Sequence, residues 1–302
     1  MYRYPIIHRI PIHPFIERKG DFMYPYDIAF GVGLYEICIV LGLILAMVVF
    51  RILADRARLS AKMQNMCLVA FPVALATGYL AAVVFQWFYN GIRDGKFAES
   101  IFASSTGSTF YGGLIGGTSA VLIFYFAYGH FAMKNKEHVR AFPKIFDIAP
   151  SCITLAHALG RIGCFFAGCC YGKPTSAFFG VMLKNVDHKV IPTQLFEALF
   201  LLILFAFLTV RFYDGKRHQL PIYLMSYGVW RFMIEFLRGD DRGETVVSFL
   251  SPSQLTAVIL FIVGIVLLFL VKYIYALEGV TAAPTKDESE SEAPESKTEQ
   301  SE

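Results

Sequence analysis

Two short stretches set arginines beside other ionisable groups within otherwise apolar sequence. In LAHALGRIGCFFAGCCYG, His157 and Arg161 stand four residues apart, and in SYGVWRFMIEFLRGDD, Tyr227 and Glu235 stand four residues either side of Arg231. Residues four apart share a helix face, so each stretch would present a short polar stripe. A guanidinium offers a planar fork of donors that pairs bidentately with phosphate oxygens. Two such forks near a membrane surface suit a phosphodiester. Simpler readings stand beside this one: Arg231 and Glu235 as a structural ion pair, Arg161 as an anchor reaching the headgroups, and His157 as a hydrogen-bonded core residue.

Three further features carry possible chemistry. The FYGGLIGG run holds Tyr111 and the glycines Gly112, Gly113, Gly116 and Gly117, which either admit a bulky lipid or form a helix-packing face. Glu197, in PTQLFEA, reads as a first-turn acid complementing its helix dipole. Cys164, Cys169 and Cys170 cluster, whereas Cys38, Cys67 and Cys152 lie in apolar runs where cysteine acts as a small hydrophobe. The cluster is open to three readings: a Cys164–Cys169 bridge on an oxidising face, packing thiols, or metal ligands. No histidine lies within usual zinc-finger spacing, so the expectation is no metal and no cofactor.

The elements that would position these residues are membrane spans. Of the 302 residues 56% are hydrophobic and 17% charged, and the mean hydropathy is +0.52, a balance foreign to ordinary soluble domains. Seven stretches are long and apolar enough to cross, at about 27–50, 66–89, 110–132, 145–166, 194–213, 219–237 and 254–277. The fold class expected is therefore an all-α polytopic membrane protein with seven transmembrane helices. Arg51, Arg56, Arg58 and Lys62 follow the first span, Lys134, Lys136, Arg140 and Lys144 the third, and Arg211, Lys216 and Arg217 the fifth. Such basic loops mark the cytoplasmic side, which puts the N-terminus outside and the C-terminus in the cytoplasm.

Residues 1–23 read as an outer segment without the apolar core of a cleavable signal peptide, 24–277 as the membrane domain, and 278–302 as a solvated acidic tail. Residues 281–302 hold 7 acids against 2 bases, so residues 1–280 carry 25 − 17 = +8. That positive charge lies in short clusters between apolar runs rather than in the patch or stripe that nucleic acid demands, which argues against a nucleic-acid partner. With this topology Tyr35, FYGGLIGG, the 160–172 motif, PTQLFEA and the end of the 226–241 motif all come to the outer leaflet. A transporter for a lipid or anionic solute would use the same arginines, but nearer the midplane and within a repeated fold.

Taken in order, Tyr35, FYGGLIGG, GRIGCFFAGCCYG, PTQLFEA and SYGVWRFMIEFLR resemble the signature of the prolipoprotein diacylglyceryl transferase family over about residues 24–275. The resemblance implies a seven-span enzyme of the bacterial inner membrane. It implies transfer of a diacylglyceryl group from phosphatidylglycerol to the thiol of the lipobox cysteine in a preprolipoprotein, leaving a thioether. Arg161 then matches the arginine of a GRxGNF motif, Arg231 and Glu235 match an RFxxEF pair, Tyr227 the tyrosine before it, Gly172 the glycine closing the first motif, and Tyr35 a first-span tyrosine. Three positions depart from that signature, Tyr111 standing for the histidine of FHGGL, Cys164 for the asparagine of GRxGNF and Cys169 for a glutamate, so the chain reads as a cysteine-bearing branch of the family or as a paralogous lipid transferase with the same donor and another acceptor. On this reading Arg161, Arg231, Glu235, His157 and Tyr111 are catalytic, with His157 the expected base because its ordinary pKa near 6.5 suits neutral pH. Tyr35, Gly112, Gly113, Tyr227, Gly172, Cys164 and Cys169 are expected to line the substrate site.

Overall fold

The structure is a computed structural model that describes residues 32–98, 100–102, 107, 109–183, 186–239 and 249–278; for Phe110, Tyr111, Asn135 and residues 272–278 it describes the backbone alone. The expected outer segment 1–23 and all but the first residue of the acidic tail lie outside the described residues. Among those described, seven α-helices account for most of the chain: α1 (Leu34–Arg56), α2 (Ala61–Asp94), α3 (Phe110–Ala132), α4 (Glu137–Phe166), α5 (Thr193–Tyr213), α6 (Gln219–Glu235) and α7 (Pro252–Glu278). Each stretch expected from hydropathy overlaps one of these helices, with α1 displaced to 34–56 against the expected 27–50 and α2 and α4 running further than expected. Six are long and apolar enough to cross a membrane by length and composition; α6, with 17 residues, is shorter. At 1.5 Å per residue α6 is about 26 Å long, and the 30 residues of α4 give about 45 Å.

The distribution of apolar side chains is that of a bundle in lipid. On α1, Val40, Ile44, Val48 and Ile52 face outward while Ala46, Phe50 and Leu53 are buried. On α5, Leu199, Ile203, Phe207 and Val210 are exposed, whereas Gln194 and Glu197 are fully buried with Leu201, Leu204 and Leu208. Large hydrophobics on the outside and carboxamides and carboxylates on the inside reverse the soluble pattern.

Small residues bring helix pairs together, as expected where lipid tails compete with side chains for the same contacts. α1 meets α4 at Gly42, whose position faces Leu159 and Ala156, and at Gly163, which faces Tyr35 and Cys38. α2 meets α3 at Gly78 and Gly113, and a Cβ on Gly116 would stand 2.1 Å from that of Ala81. α6 meets α7 at Gly228, where a Cβ would be 2.8 Å from the Ala257 carbonyl. Polar contacts fix the opposite ends of the helices: the Asp147 carboxylate of α4 accepts from the first amide of α6 (Gln219, 3.0 Å), and Lys144 donates to the Ala57 carbonyl after α1 (3.0 Å).

Between α4 and α5 the chain forms a small platform carrying the antiparallel pair β1 (Val181–Met182) and β2 (Lys189–Val190). The platform is tied to the end of α6, since Gly172 bridges Arg238 and the Lys173 amide donates to the Leu237 carbonyl (2.8 Å). Gly172 is required by that approach: a Cβ there would lie 2.6 Å from the Leu237 carbonyl oxygen. The loop that follows α4 is thereby held against the residues that immediately follow α6.

Candidate active site

The centre of the bundle is organised by one carboxylate. Glu197, in the second turn of α5, is fully buried and accepts a hydrogen bond from the Tyr227 hydroxyl of α6 (2.9 Å). The same oxygen pairs with Arg161 Nη2 of α4 at 3.1 Å and stands 4.0 Å from His157 Nε2. Arg161 Nε donates to His157 Nε2 (3.3 Å), and the imidazole packs edge-on against the Tyr227 ring, with centroids 5.1 Å apart. Three helices thus converge on Glu197. A buried carboxylate is tolerated in lipid when it is paired and hydrogen-bonded, and this one is both.

A second charged group lies on α6 beside the first. Arg231 Nη2 pairs with Glu235 (2.8 Å) and donates to the Ser253 hydroxyl of α7 (2.6 Å), while the Ser251 hydroxyl donates to Glu235 (2.8 Å). Arg238 Nε is 4.0 Å from the same carboxylate. Arg231 is close enough to Glu197 and His157 to act on both electrostatically. Both arginines retain donors. Arg231 Nη1 is buried with no hydrogen-bond partner among the described residues, and of the five N–H groups of Arg161 the contacts above use two.

The cysteines lie one turn beyond Arg161. The sulfurs of Cys164, Cys169 and Cys170 all lie within 4.8 Å of one another, and none of the six cysteines is in a disulfide. Arg161 is near enough to act electrostatically on all three. Helix α5 holds the loop that carries two of them: Gln194 Nε2 donates to the Cys169 carbonyl and the Thr193 hydroxyl to that of Cys170 (2.9 Å). Cys170 has φ +63°, a left-handed backbone uncommon outside glycine. Hydrogen bonds from Cys164 and Cys169, and then from the Arg238 side chain, pull its thiol below its ordinary pKa. Tyr35 of α1 borders this cluster through its contact at Gly163.

Of the residues expected from sequence, His157, Arg161 and Tyr227 meet at Glu197, Arg231 pairs with Glu235, and Tyr35, Cys164 and Cys169 adjoin Arg161. Gly112 and Gly113 lie elsewhere, against Phe85, Ala81 and Gly78 of α2, where they serve helix packing rather than the arginine group. Gly172 serves the platform. The side chain of Tyr111 lies outside the described residues. His157 is present, but its Nε2 lone pair is taken by Arg161 Nε–H, so the nitrogen expected to accept a substrate proton is already an acceptor within the site. The sequence reading underweighted Glu197. Its signal was available: an acid among LFEALFLL, in a chain whose preceding apolar stretch carries Arg161 with no acid within a turn of it. Gln194, Arg238 and Ser253 were missed because a polar residue at a helix end resembles an ordinary cap.

Residues 25–270 match the family described as prolipoprotein diacylglyceryl transferase. Among curated relatives, the phosphatidylglycerol–prolipoprotein diacylglyceryl transferase of Clostridium tetani is 38% identical over 168 residues, which is 53% of this chain and 62% of that protein. The chain therefore spans less than two thirds of that relative's length. The protein of the same name from Finegoldia magna is 31% identical over 246 residues, covering 79% of this chain and 91% of the relative. A Clostridium perfringens protein, phosphatidylglycerol–prolipoprotein diacylglyceryl transferase 2, is 29% identical over 250 residues with the same two coverages.

Proposed function

Because the chain belongs to the prolipoprotein diacylglyceryl transferase family, we propose that it transfers a diacylglyceryl group from phosphatidylglycerol to the lipobox cysteine thiol of a preprolipoprotein, as an integral enzyme of the bacterial inner membrane. The observation that carries this reading is the convergence of Arg161, Glu197, Tyr227 and Arg231 within the bundle, with donors left on both guanidiniums. The thiol sulfur attacks the glycerol carbon bearing the phosphate. The carbon–oxygen bond breaks, and its electron pair leaves with glycerol phosphate. Charge grows on the phosphate oxygens as that bond lengthens, so preorganised guanidiniums there lower the barrier.

Each side chain has a role in this scheme. Arg161 and Arg231 bind the phosphate. Glu197, with Tyr227 and His157 beside it, fixes the Arg161 fork; Glu235, with Ser251 and Ser253, fixes that of Arg231. His157 is a positioning residue, since its accepting nitrogen holds Arg161. In the membrane, all seven helices cross, with the N-terminus and the cysteine-bearing platform outside and the C-terminus in the cytoplasm; the shorter α6 matches the site's position near the outer leaflet. The basic loops after α1, α3 and α5 support this orientation.

The activity is tested with purified protein in detergent, labelled phosphatidylglycerol and a lipobox peptide. The expected product is lipidated peptide together with glycerol phosphate, and absence of both would refute the transferase reading. Orientation is tested in cells after native thiols are removed. A cysteine at Gly95 is expected to react with an impermeant thiol reagent added outside, and one at Asn135 to react only after lysis. The reverse pattern would invert the topology.

A further inference from the structure

Thiol alkylation at neutral pH needs the thiolate, and a free thiol with a pKa near 8.5 is only about 3% ionised at pH 7. No described side chain in the arginine site is placed to take the proton: His157 Nε2 is engaged by Arg161, Glu197 has Oε1 held by Arg161 and Tyr227 and Oε2 buried away from any approaching thiol, and Glu235 is engaged by Arg231 and Ser251. One helical turn from Arg161, three sulfurs lie within 4.8 Å of one another. Three thiolates about 2.3 Å from a zinc ion stand about 3.8 Å apart in a tetrahedron, so closure onto an ion requires each pair to approach by about 1 Å at most.

We propose that Cys164, Cys169 and Cys170 form a three-thiolate Zn2+ site whose fourth position takes the acceptor thiol of the transfer reaction. The inference rests on the transferase reading and supplies the activation step that reading lacks. The loop is built for the task. Gln194 and Thr193 hold the carbonyls of Cys169 and Cys170, the left-handed turn at Cys170 directs adjacent cysteines to one centre, and the Gly172 bridge fixes the far side of the loop on α6. Cys169 is exposed, and Cys164 and Cys170 are half-buried, so the cluster is open on one side. Three thiolates and Zn2+ carry a net charge of −1, which the Arg238 side chain beside Cys170 balances; a monovalent soft ion would leave −2. Three protein ligands with an open position are the arrangement of a reactive rather than a purely structural zinc.

The chemistry balances without a further reagent. On binding, the acceptor thiol gives its proton to solvent and its sulfur bonds to zinc, since a coordinating thiol is deprotonated outright. That sulfur attacks the glycerol carbon, glycerol phosphate leaves with the carbon–oxygen electron pair, and the neutral thioether, a weaker ligand than thiolate, departs from zinc. Full ionisation is worth about 30-fold against about 3% thiolate, reduced by the lower nucleophilicity of a stabilised sulfur. A loss of about tenfold or more on metal removal is the expected effect.

The experiment uses the whole reduced protein in detergent, stripped with a chelator and reloaded with Zn2+. Expected are one zinc per chain and, by zinc-edge X-ray absorption, three sulfur neighbours at about 2.3 Å, rising to four when a lipobox peptide is added and staying at three with its Cys→Ser analogue. A combined Cys164→Ser, Cys169→Ser and Cys170→Ser variant should lose the zinc, and a combined Cys38→Ser, Cys67→Ser and Cys152→Ser variant should keep it. Should the first variant fail to fold, the sulfur count on the wild-type protein still decides, and a shell of oxygen and nitrogen would overturn the site. Stripped protein that transfers at an undiminished rate overturns the zinc step and leaves the transferase reading standing. Absence of transfer in both states, with three sulfurs rising to four, overturns that reading and keeps the thiol-binding site.

Discussion

Arg161→Ala and Arg231→Ala are each expected to lower diacylglyceryl transfer by at least 100-fold while the protein still inserts into the membrane. A charge-assisted hydrogen bond is worth about 1.5–3 kcal/mol, and donors aimed at developing charge in a water-poor site are worth about 100- to 1000-fold in rate. The two losses differ in their side effects. Removing Arg161 leaves Glu197 buried with the Tyr227 hydroxyl and His157 beside it and only the more distant charge of Arg231 to offset its own, whereas Glu235, deprived of Arg231, still has Ser251 and Arg238. Arg161→Ala should therefore cost more thermal stability as well. Arg161→Lys is expected to restore stability better than rate, because an ammonium neutralises Glu197 but lacks the fork that holds phosphate oxygens and His157 together. Rates and melting temperatures of the three purified variants are the measurement. Near-normal turnover in both alanine variants would remove the phosphate from the two arginines.

The spans were legible because the physics behind them is local. Twenty apolar residues in a row have few alternatives to a membrane, and α3, α5, α6 and α7 begin and end within a turn of the hydropathic boundaries, whereas α1 starts at Leu34 and ends at Arg56, nearly two turns beyond the expected 27–50 at each end. α2 and α4 extend further, since hydropathy falls off at Ala61–Asn65 and at Glu137–Lys144 while helical hydrogen bonding continues past the apolar core. Which polar residues meet is not local. The spacing of His157 and Arg161 gave their common face, but nothing in either motif revealed that a carboxylate from α5 fills the gap between them. Glycines are ambiguous in another way: Gly112 and Gly113 read as a packing seam more readily than as a lipid slot, and that Phe85, Ala81 and Gly78 of α2 face them is visible only in the fold. The cysteines show a third limit. Their spacing resembled no metal motif because one cysteine lies in the last turn of a helix and two in the loop after it, where Cys170 is left-handed, and that loop's geometry depends on Gln194 and Thr193, more than twenty residues away in sequence.

Glu197→Gln is expected to lower transfer by about 10- to 100-fold and to reduce thermal stability, although the substitution adds no bulk and keeps an oxygen that can accept from Tyr227. The loss lies in charge. Arg161 would keep its positive charge in a buried position, with a neutral amide where its carboxylate partner stood, and breaking a buried pair by removing one partner costs about 3–5 kcal/mol. The amide NH2 also adds donors beside a group that is itself only a donor, so one amide orientation sets donor against donor. Arg161 would relieve this by turning toward the Cys164 side or toward the headgroups, and a fork displaced by even about 1 Å loses much of its hold on the reacting phosphate. Combining Arg161→Ala with Glu197→Ala separates positioning from direct catalysis. The double variant carries no unpaired buried charge, so its melting temperature should exceed that of Glu197→Ala alone, whereas its transfer rate should be no better than that of Arg161→Ala. Strictly additive stability losses, or wild-type transfer by Glu197→Gln, would show that Glu197 does not hold Arg161 in place, and Tyr227 and His157 would then have to position the guanidinium by themselves.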